Sequence, residues 1–309
     1  MSTPHEGAAH PVVIDVISDI QGRLDHLAAA LDLFGAADVP GGRADHLVVV
    51  GDLVDHGHEA EYAELFSVFG ARALPPMTCT IGNHEFYNDS DSDASIERFL
   101  RWTGEAAVWG SAHIPGVDAI VLGTLDGSGT GGHDVHLGPD QLAFVRSSAN
   151  EPTTRPLIVF THQPLPNTVS GTRPDQAWAT YVDDHAEADD LRRALSGRRP
   201  VLLVTGHTHW GLHRDDWLVR VEDTPGGAGF WAVNTGAVMN EYGQAADGTE
   251  ALIDEEAHTG LRLFVESDRV RLEAWDARSG RLLHESIVPS LASVPSLASV
   301  PPSGTAAQK

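Results

Sequence analysis

Residues 12–22 read VVIDVISDIQG. The first seven form a β-branched apolar run between Pro11 and the Asp19–Gly22 turn, which is the pattern of a short buried strand. Just beyond, Leu24, Leu27, Leu31 and Phe34 recur at spacings of three and four, the apolar stripe of a helix. The design repeats outward from there. Residues 46–50, HLVVV, run into Gly51 and Asp52, and residues 59–69 carry helical patterning. Residues 77–81, MTCTI, make a third strand that ends at Gly82. Strand, loop and helix in this alternation predict a layered α/β domain. In such sheets the reactive residues gather on loops beyond the carboxyl ends of strands.

From residue 118 the character changes. AIVLG at 119–123, LIVF at 157–160 and VLLVT at 201–205 read as further strands. WLVRV (217–221), FWAVN (230–234), LRLFV (261–265) and VRLEAW (270–275) read as antiparallel, and the Glu266–Arg269 link between the last two suits a hairpin. Two sheets face to face with helices outside would use both sets. One domain is therefore expected over residues 1–287. Within it, 163–190 holds Pro164, Pro166, Trp178, Tyr181, Asp175, Asp183, Asp184 and Asp189, and is expected to act as a cap. Residues 288–309 are rich in Pro, Ser and Ala and contain VPSLAS twice. Two short copies are too few for a solenoid, so a disordered tail is expected.

Composition narrows the classes of partner. Among 309 residues, 44 are acidic and 20 basic, for a formal charge of -24. That balance disfavours nucleic-acid polymers and anionic lipid surfaces, because no net basic footprint exists. It leaves a small phosphorylated substrate open, since a bound metal dominates its local field. Cys79 is the only cysteine, which rules out an internal disulfide and a thiolate metal cluster; its place in a strand predicts a core residue. Residues 1–11 lack an apolar signal core, and no stretch approaches the roughly 18–20 apolar residues of a spanning helix. A cytoplasmic protein is expected, and its oligomeric state is not legible.

Five polar clusters stand directly after apolar runs. They are Asp19-Ile20-Gln21-Gly22, Gly51-Asp52-Leu53-Val54-Asp55, Gly82-Asn83-His84-Glu85, Thr161-His162-Gln163 and Gly206-His207-Thr208-His209. Each offers oxygen or nitrogen donors of the kind a hard or borderline divalent ion takes. The alternation His207-x-His209 puts both imidazoles on one side of an extended segment. Any one cluster alone is more often a turn than a site; five in order at strand ends point to a metal centre. His56 and His58 suit a polar helix start, and His133 and His136 suit a flexible Gly-rich connection. Phe86, Tyr87 and Trp210 either stack on a base or leaving group or pack around the ligand loops.

Taken together, these clusters resemble the motif set of the calcineurin-like metallophosphoesterase superfamily, which includes purple acid phosphatases and bacterial phosphodiesterases. The resemblance covers Asp19 to His209 in motifs and extends to about residue 275 in strand pattern. It implies a four-layer α/β/β/α sandwich of two mixed sheets flanked by helices. It also implies two divalent metals, with Asp19, Gln21 and His209 on the first, Asp52 bridging, and Asn83, His162 and His207 on the second. His84 would contact the leaving-group or a non-bridging phosphate oxygen, and Asp55 would orient a ligating His. Gln21 stands where His is usual, which favours Mn²⁺ or Mg²⁺ over Fe or Zn²⁺; manganese is the expected metal. The implied reaction is hydrolysis of a phosphomonoester or phosphodiester of a small, nucleotide-like substrate by hydroxide held between the metals. Alternatives are a manganese-dependent diphosphatase acting on ADP-ribose or CDP-alcohols, and a non-catalytic metal-binding regulatory protein. A scaffold would have no use for His84.

Overall fold

The computed structural model describes residues 10–36, 38–88, 91–127, 132–176, 181, 184–222 and 229–289. Strands β1 (Val12–Ile17), β2 (His46–Val50) and β3 (Met77–Thr80) lie parallel in one six-stranded sheet. The last three strands among the described residues complete it: β12 (Thr259–Val265), β13 (Arg269–Asp276) and β14 (Arg281–Pro289), in the order β14-β13-β12-β1-β2-β3. β12 runs antiparallel to β1, with Ile14 opposite Leu263. The hairpin expected at Glu266–Arg269 is present, closed by Glu266 N–H donating to the Arg269 carbonyl at 2.9 Å.

The second six-stranded sheet holds β4 (Gly110–Ala112), β5 (Asp118–Val121), β6 (Leu157–Phe160), β7 (Val201–Thr205), β8 (Leu218–Val221) and β9 (Phe230–Asn234), ordered β4-β5-β6-β7-β9-β8. β5, β6, β7 and β9 are parallel, so β9, read from sequence as antiparallel, is antiparallel only to β8. β10 (Glu241–Gln244) and β11 (Glu250–Asp254) form a separate two-stranded ribbon.

Strand alternation sorts the apolar residues into three cores. Ile14, Val16, Val48 and Val50 face Ile158, Phe160, Leu202 and Val204 between the sheets. On the far side of the first sheet, Ile17, Leu47 and Val49 meet α1 (Leu24–Phe34), α2 (Glu59–Gly70) and α3 (Ser92–Thr103) through Leu27, Leu31, Tyr62, Leu65 and Phe99. On the far side of the second, Leu157, Val159 and Leu203 meet α4 (Gly138–Ala149) and α5 (Ala188–Leu195) through Leu142, Val145 and Leu191. The result is the four-layer α/β/β/α sandwich. Cys79 is buried in the core as expected.

Two features depart from the expected boundaries. β14 pairs through Val288 and Pro289, so the sheet continues beyond residue 287; residues 290–309, the rest of the expected tail, lie outside the described residues. In the expected cap, Trp178 and Asp183 lie outside them as well, and the segment's end is already the first turn of α5. No helix among the described residues is long and apolar enough to cross a membrane.

Candidate metal centre

The five clusters follow the carboxyl ends of β1, β2, β3, β6 and β7, and the face-to-face sheets bring those ends together. Backbone geometry there is unusual. Of the described non-glycine residues with positive φ, only Asn167 lies elsewhere; the others are Asp19 (53°), Gln21 (42°), Asp52 (50°), His207 (74°) and His209 (54°). Such conformations cost about 1–3 kcal/mol each and persist where surrounding contacts over-determine them. Here Asp19 N–H donates to the Gly51 carbonyl at 3.1 Å and Ile20 N–H to the Asp52 carbonyl at 2.9 Å. His207 N–H donates to both Asp19 carboxylate oxygens, at 3.1 and 3.0 Å. Two glycines let the loops close up. A Cβ on Gly51 (φ 77°) would stand 2.4 Å from His162 Nδ1, and one on Gly82 would stand 2.2 Å from Asp52 Oδ1.

The side chains converge at ligand spacing. His162 Nε2 lies 3.1 Å from Asp52 Oδ2, 3.8 Å from Asp19 Oδ1 and 3.2 Å from His207 Nδ1. His209 Nε2 lies 3.2 Å from Asp19 Oδ1. Donor atoms of Asp52, His162 and His207 all fall within 4.8 Å of one another, a group able to hold an ion. Asn83 lines the same cavity as Asp52 and His207: its Nδ2 donates to the Tyr87 hydroxyl at 2.7 Å, while its Oδ1 is buried with no hydrogen-bond partner. An orphaned amide oxygen beside buried carboxylates and imidazoles fits a cation ligand, since leaving it unmade is costly. Gln21 is also at the site, but its Nε2 donates to Asp52 Oδ2 at 3.0 Å.

Charge follows from the same packing. Burial opposes ionisation of Asp52, but the imidazoles of His162, His84 and His207 outweigh it and hold its pKa far below the usual carboxylate range. Burial likewise opposes ionisation of Asp19, and His209 and His162 bring its pKa down. His162 is the counterpart: burial lowers its pKa, yet Asp52 and Asp19 raise it to about 10.

His84 stands at the edge. Its backbone N–H donates to Asp52 Oδ1 at 3.0 Å, its Nδ1 donates to the Asp55 carbonyl at 2.7 Å, and its Nε2 is 3.8 Å from Asp52 Oδ2. The Asp55 carboxylate lies 3.4 Å from His84 Nδ1. The His84 hydrogen bond is thus accepted by the Asp55 main chain, while the carboxylate lies nearer still to His56 Nδ1, at 3.1 Å; among the described residues its imidazole neighbours are His84 and His56 rather than His162, His207 or His209, because the loop after β2 turns it toward the His84 turn.

These groups open into a cavity of about 310 Å³ lined also by Tyr87, His133, Tyr181, Met239, Tyr242 and Glu250. Two expected substrate contacts are corrected. Phe86 is 1% exposed, because the 3-10 turn His84–Phe86 directs it into the core under the first sheet. Trp210 is fully buried, its Nε1 donating to Glu250 at 2.6 Å and the Arg214 guanidinium lying 4.8 Å from the ring centre. Tyr87 does line the cavity. His58 N–H and His56 N–H donate to the Glu61 carboxylate, the polar helix start expected for α2. His133, read as part of a flexible connection, lines the cavity. Sequence reasoning missed Asn240, whose Oδ1 accepts from His209 Nδ1 at 2.8 Å, and the roles of Asp184 and Glu250. Asn240 follows the parallel strand β9, so the strand-end rule would have pointed to its loop. A larger, mostly apolar cavity of about 370 Å³ lies at the opposite end of the first sheet, around Leu31, Phe34, Leu47 and Pro76. It gathers no comparable donor set, and the chemistry favours the smaller one.

The profile of the family described as calcineurin-like phosphoesterase matches residues 12–211. A protein of Rhodococcus erythropolis named "Probable cyclic nucleotide phosphodiesterase" is 26% identical over 201 residues, 60% of this chain and 62% of that protein. One of the same name from Psychrobacter arcticus is 27% identical over 187 residues, 59% of this chain and 63% of that protein. In both, the match spans less than two thirds of the relative's own length. The fold resembles that of a purple acid phosphatase from yellow lupin (Lupinus luteus) seeds, with a TM-score of 0.61 at 14% identity over 93% of this chain and 55% of that one.

Proposed function

This chain belongs to the calcineurin-like phosphoesterase family, and from that premise we propose that it hydrolyses a phosphodiester of a small, nucleotide-like substrate with the help of two divalent ions. One observation carries the choice of diester. Among the described residues lining the cavity there is no Arg or Lys, while Asp55 and Glu250 stand at its wall. A dianionic monoester would meet these carboxylates with no cationic side chain to offset its second charge; a monoanionic diester is repelled less. The two relatives named as cyclic nucleotide phosphodiesterases point the same way.

Asp19 and His209 would hold one ion, Asn83, His162 and His207 the other, with Asp52 shared between them. When bound, the ions would polarise the phosphoryl group and make a water nucleophilic at neutral pH. The chain's own residues do the rest. Asp52 is aimed by the His84 amide, and Asn83 by Tyr87. With its Nδ1 N–H committed to the Asp55 carbonyl, His84 presents Nε2 to the cavity, where the doubly protonated ring would give its Nε2 proton to the leaving oxygen and be left as the neutral Nδ1–H imidazole. Gln21 supports manganese: a half-turn of its amide would exchange Nε2 for Oε1 beside Asp52, offering a hard oxygen donor.

The test uses the full chain, stripped with chelator and reloaded with Mn²⁺ or Zn²⁺. Expected are faster hydrolysis of bis-p-nitrophenyl phosphate and of a 3′,5′-cyclic nucleotide than of p-nitrophenyl phosphate, and greater turnover with Mn²⁺. Faster monoester hydrolysis would overturn the diester reading. Faster ADP-ribose cleavage would favour the diphosphatase reading that Gln21 also supports. Zn²⁺ equal to Mn²⁺ would overturn the choice of metal.

A further inference from the structure

We propose that Asp184, in the segment leading into α5, is a positioning residue that commits His207 to bind metal through Nδ1 and thereby sets the affinity of one ion of the pair. The inference rests on the two-ion reading above. Three imidazoles converge on the site, and each has its other nitrogen tied. His162 Nδ1 donates to the Val50 carbonyl at 2.8 Å, and His209 Nδ1 to Asn240 Oδ1 at 2.8 Å. His207 is oriented the other way round: its Nε2 donates to Asp184 Oδ2 at 3.0 Å, leaving Nδ1 facing His162 Nε2 at 3.2 Å. Of the three tethers, only this one ends on a charged group. A carboxylate on the distal N–H fixes the tautomer and makes the facing nitrogen a stronger donor, which a neutral carbonyl does more weakly.

Asp184 is not a surface acid that happens to lie nearby. It is 5% exposed. Its carbonyl accepts from Val135 N–H at 2.6 Å, Ala186 N–H donates to the Val135 carbonyl at 3.2 Å, and His185 Nε2 donates to the Gln163 carbonyl at 3.0 Å. Glu187 adds a clamp on the Leu137 and Gly138 amides, each at 3.2 Å. The strap therefore ties the carboxylate to the loop that carries His162. His133 Nδ1 approaches the other Asp184 oxygen only to 3.9 Å, so it does not compete for the oxygen that holds His207.

A plainer role exists, in which Asp184 merely satisfies a buried N–H. Asp184→Asn separates the two, because it keeps an acceptor oxygen of nearly the same shape and removes the charge. Metal-free full-length chain is titrated with MnCl₂ by calorimetry, and the loaded protein is examined by electron paramagnetic resonance. We expect Asp184→Asn to weaken one of the two ions about tenfold and Asp184→Ala to weaken it about 10- to 100-fold, the other ion holding its affinity. The spin-coupled pair spectrum should then give way to the six-line signal of an isolated ion. Thermal melting of the metal-free variants checks folding; if the Ala variant does not fold, the Asn variant decides. Wild-type affinities for both ions in the Asn variant, or equal weakening of both, would overturn the proposal. Uptake of a single ion by wild-type protein would instead sink the two-ion reading, and unchanged affinity for that ion in the Asn variant would overturn the role of Asp184 independently.

Discussion

His84 illustrates how much a single side chain owes to neighbours distant in sequence. Its backbone serves Asp52, its Nδ1 is spent on Asp55, and only Nε2 is free to meet a substrate. None of its contacts requires an ion, so His84→Ala should keep metal stoichiometry while losing about 10²- to 10⁴-fold in kcat on bis-p-nitrophenyl phosphate, the range typical of a lost general acid. A near-normal rate with full metal content would remove His84 from the chemistry. The motif itself was legible at this scale, because Gly-Asn-His-Glu names its residues. Which imidazole Asp55 serves was not, since that depends on where the loop after β2 places a carboxylate. Phe86 shows the same limit in reverse: adjacency to the motif suggested a substrate contact, and the 3-10 turn sent the ring inward.

Among the elements, the loops after β2 and β3 are joined by one buried side chain. Glu85 is fully buried and accepts from the amides of Gly82 (2.6 Å), Leu53 (2.7 Å), Asp52 (3.1 Å) and Val54 (3.4 Å). Burial and the nearby Asp52 push its pKa up to about 8 even against those amides. Glu85→Ala would orphan several buried donors at about 1–3 kcal/mol each, not additively. A loss of about 3 kcal/mol should lower the thermal midpoint of the metal-free chain by about 5 °C; a change under about 2 °C would show that the clamp is dispensable. Element legibility was uneven for physical reasons. α1 and the parallel strands carry strong apolar periodicity. α3 carries both signals, Ile96, Phe99 and Leu100 at helical spacing and a cap at each end, Asp91 accepting from Asp93 N–H and Ala94 N–H and Gly104 closing it at φ 76°, so it was legible though not read. The ribbon of β10 and β11 is short and half-exposed, so burial writes little pattern into it.

For the molecule as a whole, a formal charge of -24 sets the long-range field a substrate must cross. A phosphate diester approaching it is repelled until salt shortens the Debye length, from about 30 Å at 0.01 M to about 8 Å at 0.15 M. We therefore expect kcat/KM for an anionic diester to rise over that range at fixed metal loading. A fall would mean that the positive field of the metal centre governs encounter. By itself the sequence determined the layered α/β class, the five donor clusters and their order along the chain. Local apolar periodicity dictates strands and helices, and motif residues keep their chemistry wherever they fold. Tertiary structure alone decided that β12, β13 and β14 return to the sheet of β1, that Trp210 is buried, and that Asp184 and Asn240 reach His207 and His209. Those are long-range pairings, selected by the burial of whole sheet faces, and no short window of residues contains both partners.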